Sequence, residues 1–313
     1  MFLRCVSLCC LVLTVGCDER DPAALALRLD ELQLKGTHNS YHIDPKLDVP
    51  KWAYTHAPLS VQLARQNVRQ FEIDVYFDVL TRSFAVRHLP VFDTQSTCAD
   101  LRVCLEAVTG WLRREPDGPV IIMIELKDSF DASTANDLLA ALDETLRASF
   151  TERELLTPAE VQKDSPTLSE ALQERAWPTL GAMQARAMVF LLAGDFYAAY
   201  TANDTSLLDR AAFIAGSNND RFAAVINVDD ARGEAEQAAI SEAHRQHKLI
   251  RVRADGEGDF GGEGRAEAAL ASGAHIVATD YPVAVSGVDY VLAWGAAPYR
   301  CNPVTAADCV AQP

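Results

Sequence analysis

With 313 residues, 49% of them hydrophobic, the chain is long enough to bury one large core, and a single α/β barrel needs roughly 250 residues. A formal net charge of -16 excludes a nucleic-acid binder, since no basic cluster is available to neutralise a run of phosphates, and it excludes a polybasic membrane anchor. No Pro/Gly/Ser-rich linker divides the sequence, so one folded domain is expected.

In chain order, residues 1–16 read as an export signal, with a positive charge at Arg4 and an apolar run too short to span a membrane. Leu13-Thr14-Val15-Gly16-Cys17 is similar to a bacterial lipoprotein cleavage site with Cys17 as the lipidated residue. Thr14 stands where Leu is usual, so plain secretion is the alternative. Either way the expected location is outside the cytoplasm, in the cell envelope or secreted. Residues 17–31 form an arm, and the first strand is Leu32 to Lys35, followed by a turn at Gly36-Thr37 and then His38-Asn39.

Asp44 to Thr55, with Pro45, Pro50 and Trp52, reads as a loop over the rim, and Pro58 to Gln66 as a helix with proline near its start. The second strand, Phe71 to Tyr76, carries Glu72 and Asp74 two residues apart and so on one face. A third strand, Phe84 to Arg87, ends in His88. From Ala99 to Arg114 the apolar residues Leu101, Leu105, Val108 and Leu112 recur at three and four, which predicts a helix packed on the sheet. Strand four, Val120 to Leu126, is a nearly continuous apolar run, as in a strand buried on both faces, and it closes with Glu125 and Lys127 on one side.

Asp131 to Phe150 predicts a helix capped by Ser133 or Asp131, and residues 157–175 a lid or helical excursion. Strands five to eight are Met188 to Leu192, Ala223 to Asn227, Leu249 to Arg253 and Ile276 to Ala278, with helices at Ala231 to His247 and Glu263 to Ser272. Eight strands alternating with helices, and no hairpin signal between them, predict a single (β/α)8 TIM-type barrel over residues 32–300 and a tail over 301–313. No glycine-rich phosphate fingerprint follows the first strand, so no nucleotide is expected.

In such a barrel the chemistry sits at the carboxyl ends of the strands. His38, Asn39, Glu72, Asp74, His88, Glu125 and Lys127 are therefore expected at one rim. Buried carboxylates need a neutralising cation. Three of them with the Asn39 amide make an all-oxygen set suited to calcium, with magnesium second, rather than zinc. His38 and His88 end strands beside other polar groups and are the catalytic candidates, whereas His42, His56 and His275 read as structural and His244 and His247 as a solvated helix face.

Lys127, Arg251 and Arg253 could hold an anionic substrate group such as phosphate, or form salt bridges to Asp128, Asp255 or Asp280. Of the eight cysteines, Cys5, Cys9, Cys10 and Cys17 belong to the leader. Cys98 with Cys104 and Cys301 with Cys309 suggest two disulfides in an exported protein, against a four-cysteine zinc site as the competing reading.

The segments Gly36-Thr37-His38-Asn39-Ser40-Tyr41, Glu72-x-Asp74, His88-Leu89-Pro90-Val91-Phe92-Asp93-Thr94, Glu125, Trp177-Pro178-Thr179-Leu180, Arg251-Val252-Arg253-Ala254-Asp255 and Thr279-Asp280-Tyr281-Pro282 resemble the bacterial stand-alone branch of the calcium-dependent phosphoinositide-specific phospholipase C family. The likeness runs from about Leu32 to Pro282. It implies calcium held by Asn39, Glu72, Asp74 and Glu125, and His38 and His88 as catalytic imidazoles. It also implies a phospholipid substrate at a membrane surface; Lys127 and Arg253 are expected as the substrate-binding residues, and a monomer is expected. Glycerophosphodiester phosphodiesterases share the barrel and the Glu-x-Asp pair and are the alternative, but they carry Arg-Gly after the first His where Asn39-Ser40 stands here. A non-catalytic lipoprotein binding phospholipid or sugar phosphate is the reading from a different class.

Overall fold

The computed structural model describes residues 22–307 and 309, apart from 116, 175–176, 257–261 and 263. The expected leader and Cys17 lie outside the described residues. Strands β1 (Leu32–Thr37), β2 (Gln70–Asp78), β3 (Ser83–Val86), β4 (Val120–Leu126), β5 (Leu155–Leu156), β6 (Ala187–Leu192), β7 (Phe213–Ile214), β8 (Val225–Val228), β9 (Leu249–Arg253), β10 (Ile276–Thr279) and β11 (Tyr299–Cys301) belong to one sheet. The main helices are α1 (Pro22–Leu25), α2 (Leu59–Arg65), α3 (Leu101–Leu112), α4 (Ala135–Ser149), α5 (Pro158–Gln162), α6 (Leu168–Gln173), α7 (Tyr197–Tyr200), α8 (Glu234–Arg245) and α9 (Arg265–Ala271).

Parallel pairing runs through β7, β6, β4, β2, β1, β10, β9 and β8. A narrow seam joins the two ends, where Ala215 bridges Val225 in parallel, Gly216 N donates to Val225 O at 3.0 Å and Ala224 N to Ile214 O at 3.1 Å. The TIM-type barrel expected from the strand and helix alternation is present, with one exchange of membership. The third predicted strand is not a stave: β3 folds back antiparallel on β2, pairing Val75 with Val86 and Asp78 with Ser83, a hairpin the sequence did not signal. Its place in the wall goes to β7, two residues long and too short to show any period of its own.

β4 is buried along nearly its whole length, as its unbroken apolar run requires. Outside it, Leu101, Leu105, Val108 and Leu112 of α3 are buried on the sheet. Asp100 caps that helix by accepting from Arg102 N at 2.9 Å. The α4 cap differs from expectation. Its N-cap is Thr134, while Asp131 accepts from Ser133 N one turn earlier. The segment after residue 157 forms α5 and α6, and β5 before it pairs with the first residues of β6. This excursion therefore lies at the amino ends of the staves and is no lid over the opposite rim.

Both expected disulfides are formed, Cys98 to Cys104 with an S–S distance of 2.10 Å and Cys301 to Cys309, so the zinc reading of these cysteines fails. At the base, β11 pairs antiparallel with β1, Leu32 opposite Cys301 and Leu34 opposite Tyr299. Asn302 N donates to Glu31 O at 2.9 Å and Asn302 Nδ2 to Gly273 O at 2.6 Å. Among the described residues no helix is long and apolar enough to cross a membrane.

Candidate active site

The turn after β1 is built by its own sequence. Gly36 packs closely on the neighbouring stave: an added Cβ would lie 2.1 Å from Gln70 Oε1 and push that side chain aside. Thr37 Oγ1 donates to Ser40 Oγ at 2.7 Å, and Ser40 Oγ in turn accepts from Glu72 N at 2.8 Å. Between them Asn39 takes the left-handed conformation, φ 42°, which asparagine tolerates better than most residues. The His38-Asn39 pair is thus locked to the backbone of the strand that carries Glu72.

Glu72 and Asp74 are both buried, and Asp74 lies in register with Glu125 on β4. One oxygen from each of Glu72, Asp74 and Glu125 lies within 4.8 Å of the others. Lys127 reaches the same cluster, with Nζ 3.0 Å from Glu125 Oε1 and 3.5 Å from Asp74 Oδ2. Burial and the neighbouring Glu125 push the Asp74 carboxyl well above its ordinary value, with Lys127 acting in the opposite direction. Lys127 itself is held above its usual range by Asp74 and Glu125 despite its burial.

These residues fit a hard divalent cation. Among the described residues, Asp74 Oδ1 and Asn39 Oδ1 are buried oxygens without a hydrogen-bond partner, and the three crowded carboxylates meet the cations Lys127 and Arg251. Oxygen atoms in that state are what a calcium ion takes as ligands.

His38 Nδ1 lies 2.8 Å from Asp280 Oδ1, and its Nε2 points towards Glu72, 3.8 Å from Oε1. His88 Nδ1 is 2.9 Å from Asp93 Oδ2. Each imidazole therefore has a carboxylate behind one nitrogen, which fixes the tautomer and leaves Nε2 for chemistry. Both rings line one pocket of about 210 Å³ together with Asn39, Tyr54, Trp52 and Arg253. Trp52 meets His88 edge-on at 5.7 Å.

All eight site residues expected from sequence gather at this rim. Arg253 approaches Asp280 at 3.3 Å and Asp255 at 3.8 Å while also facing the pocket. Against its burial, His38 and Arg253 hold Asp280 below the usual carboxylate range. Burial and Asp280 push the Asp255 carboxyl up to about 7. Arg251 differs from expectation: it is bonded to Glu72 through Nη2 and to Asn227 Oδ1 through Nη1, and to none of the three acids considered for it. Asp128 accepts from Phe77 N rather than from Lys127.

Sequence reasoning missed Asp280, Asp93, His42 and Tyr54 as parts of the site. Asp280 follows the last residue of β10 and Asp93 follows His88 by five, so strand-end position was the available signal. His244 and His247 are not a solvated face: they bond to Ser272 O and Asp30 Oδ2 at the base.

The family profile described as phosphoinositide phospholipase C, Ca2+-dependent, matches residues 27–85 and 79–303. Comparison with curated protein sequences yields no match. Among solved structures, the calcium-dependent phosphoinositol-specific phospholipase C of Pseudomonas sp. in its myoinositol complex is similar, at 17% identity and a TM-score of 0.65 over 90% of this chain and 97% of that one. The calcium-dependent enzyme of Streptomyces antibioticus follows with 18% identity and a TM-score of 0.61, over 82% and 96% of the two chains. The phosphatidylinositol-specific enzyme of Listeria monocytogenes gives 15% and 0.52, over 83% and 91%. These likenesses establish a shared barrel, and the profile spans nearly all of it: the chain belongs to the Ca2+-dependent phosphoinositide phospholipase C family.

Proposed function

We propose that the chain cleaves phosphatidylinositol-type phospholipids through attack of the inositol 2-hydroxyl on its own phosphodiester, releasing diacylglycerol and a cyclic inositol phosphate that water then opens. The observation that carries this reading is the pair of carboxylate-backed imidazoles on one pocket, beside a crowded set of buried carboxylate oxygens. Asn39, Glu72, Asp74 and Glu125 would hold calcium. When bound, the ion supplies positive charge that acidifies the hydroxyl and stabilises the phosphoryl oxygens.

The chain's own residues do the rest. With Nδ1 occupied by Asp280, His38 presents Nε2 to take the hydroxyl proton. Arg253 and Lys127 hold the phosphate in place. His88 gives a proton from Nε2 to the departing glycerol oxygen. Nucleophile and phosphorus belong to one molecule, so orientation in the pocket does much of the work.

The test is a substrate panel of phosphatidylinositol, glycerophosphoinositol and glycerophosphocholine, assayed with calcium. The first two are expected to turn over with a cyclic product and the third to be inert. Equal turnover of glycerophosphocholine would instead support the glycerophosphodiester phosphodiesterase reading.

A membrane-surface substrate is supported by the rim itself. Leu47, Val79, Leu80, Val91, Phe92 and Phe130 are large exposed hydrophobics, and all stand on the loops after β1, β2 and β4 or on the loop that carries His88. Burying one such side chain is worth about 1.5–3 kcal/mol. Leu80→Ser with Phe92→Ser is therefore expected to weaken vesicle binding about tenfold or more, while turnover of soluble glycerophosphoinositol stays unchanged. Equal losses on both substrates would remove the rim from membrane contact. The two disulfides support an oxidising compartment outside the cytoplasm.

A further inference from the structure

Behind His88, on the side away from the pocket, Asp93 is fully buried. Its Oδ2 lies 2.9 Å from His88 Nδ1 and 2.8 Å from His42 Nε2. His42 is also fully buried, and its other nitrogen lies 3.0 Å from Tyr54 O. A carbonyl oxygen only accepts, so His42 Nδ1 donates to Tyr54 O and its Nε2 is the nitrogen that meets Asp93. On His88 the Asp93 contact occupies Nδ1 and leaves Nε2 as the position from which a proton can be exchanged. Although His42, His88 and Asp93 have the spacing of a metal group, every contact here has hydrogen-bond length and a nitrogen facing an acceptor. The chain His42, Asp93, His88 is held by protons.

We infer that His42 and Asp93 form a buried positioning pair for His88, His42 holding the Asp93 carboxylate in place and Asp93 fixing the ring with Nε2 towards the leaving group, to which it gives a proton. Burial lowers the affinity of His88 for that proton, Asp93 raises it, and Lys127 and His42 lower it again. The inference rests on the assignment of His88 as the acid for the departing oxygen.

That dependence sets the experiment. At saturating calcium, the wild type and the variants His88→Ala, Asp93→Asn and His42→Gln are compared on phosphatidylinositol and on inositol phosphate esterified to p-nitrophenol, whose leaving group departs without a proton. On the lipid, kcat is expected to fall about 10²-fold or more for His88→Ala and Asp93→Asn, and about tenfold for His42→Gln, with KM little changed. On the nitrophenyl ester all three should stay within about threefold of wild type.

Equal loss of His88→Ala on both substrates would overturn the acid assignment itself. Selective loss for His88→Ala but unselective loss for the other two would overturn the positioning pair and leave those residues structural. Nitrogen-15 spectra of the wild-type protein cover the case in which either variant fails to fold. They should show hydrogen on His42 Nδ1 and on His88 Nδ1, and a bare Nδ1 on either ring would refute the pair.

Discussion

Replacing His38 with alanine is expected to leave a folded protein whose turnover of phosphatidylinositol is lower by about 10³-fold, within the range typical for losing a positioned proton acceptor. The fold should survive because the side chain is 19% exposed and its main partner is not stranded. Asp280 still accepts from Arg253, and Asp255 still holds the Asp280 backbone N–H at 2.9 Å. Loss of one charge-assisted hydrogen bond costs about 2 kcal/mol of stability. His38→Gln should be no more active than His38→Ala, because an amide cannot take up the hydroxyl proton. Circular dichroism and a thermal melt establish folding, and single-turnover kinetics establish the rate. Near-normal turnover by the folded alanine protein would remove His38 from the reaction.

Asp74→Asn should act on ion-free stability and on activity with opposite signs, whereas calcium should raise both in the wild type. In the ion-free protein, burial and Glu125 penalise the ionised Asp74 carboxylate. A folded-state value raised above the ordinary 3.8 means that this group's stabilising contribution is present below that pH and is lost as pH rises through the folded value. A neutral isostere escapes the penalty at neutral pH. In chelator, Asp74→Asn should therefore melt above the wild type.

Added calcium reverses the order. A ligand at a hundred times its dissociation constant contributes about 2.7 kcal/mol to the protein that binds it, and the wild type alone should gain that much. Activity follows the ion. The wild type should be inactive in chelator and recover with calcium but not zinc, whereas Asp74→Asn should recover poorly with either. A calcium-induced rise in melting temperature as large for Asp74→Asn as for the wild type would break the ligand assignment.

Much of this was readable from the residues because strand ends are a local property. Glu72 and Asp74 share a face by the two-residue period, and the apolar run before Glu125 sets its depth in the barrel. Other parts depend on partners distant in sequence. Phe213–Ile214 is a stave only because β6 and β8 flank it, and Ser83–Val86 folds back on β2 although its own residues would suit a stave equally well.

Arg251 and Arg253 carry the same charge on the same face. One neutralises Glu72 and the other reaches Asp280, a difference set by what β2 and β10 place opposite them. Asp93 and His42 looked unremarkable because 51 residues separate them, and nothing in a linear pattern announces that they meet.

The contact between Leu32–Leu34 and Tyr299–Cys301 gives the molecule a late-finishing join. β1 has its lower edge filled by residues synthesised long after it, so a nascent chain must wait with that edge bare until Tyr299–Cys301 emerge. Shortened polypeptides ending before Tyr299 inherit an unpaired ribbon of backbone at the base, a template for pairing with neighbouring molecules.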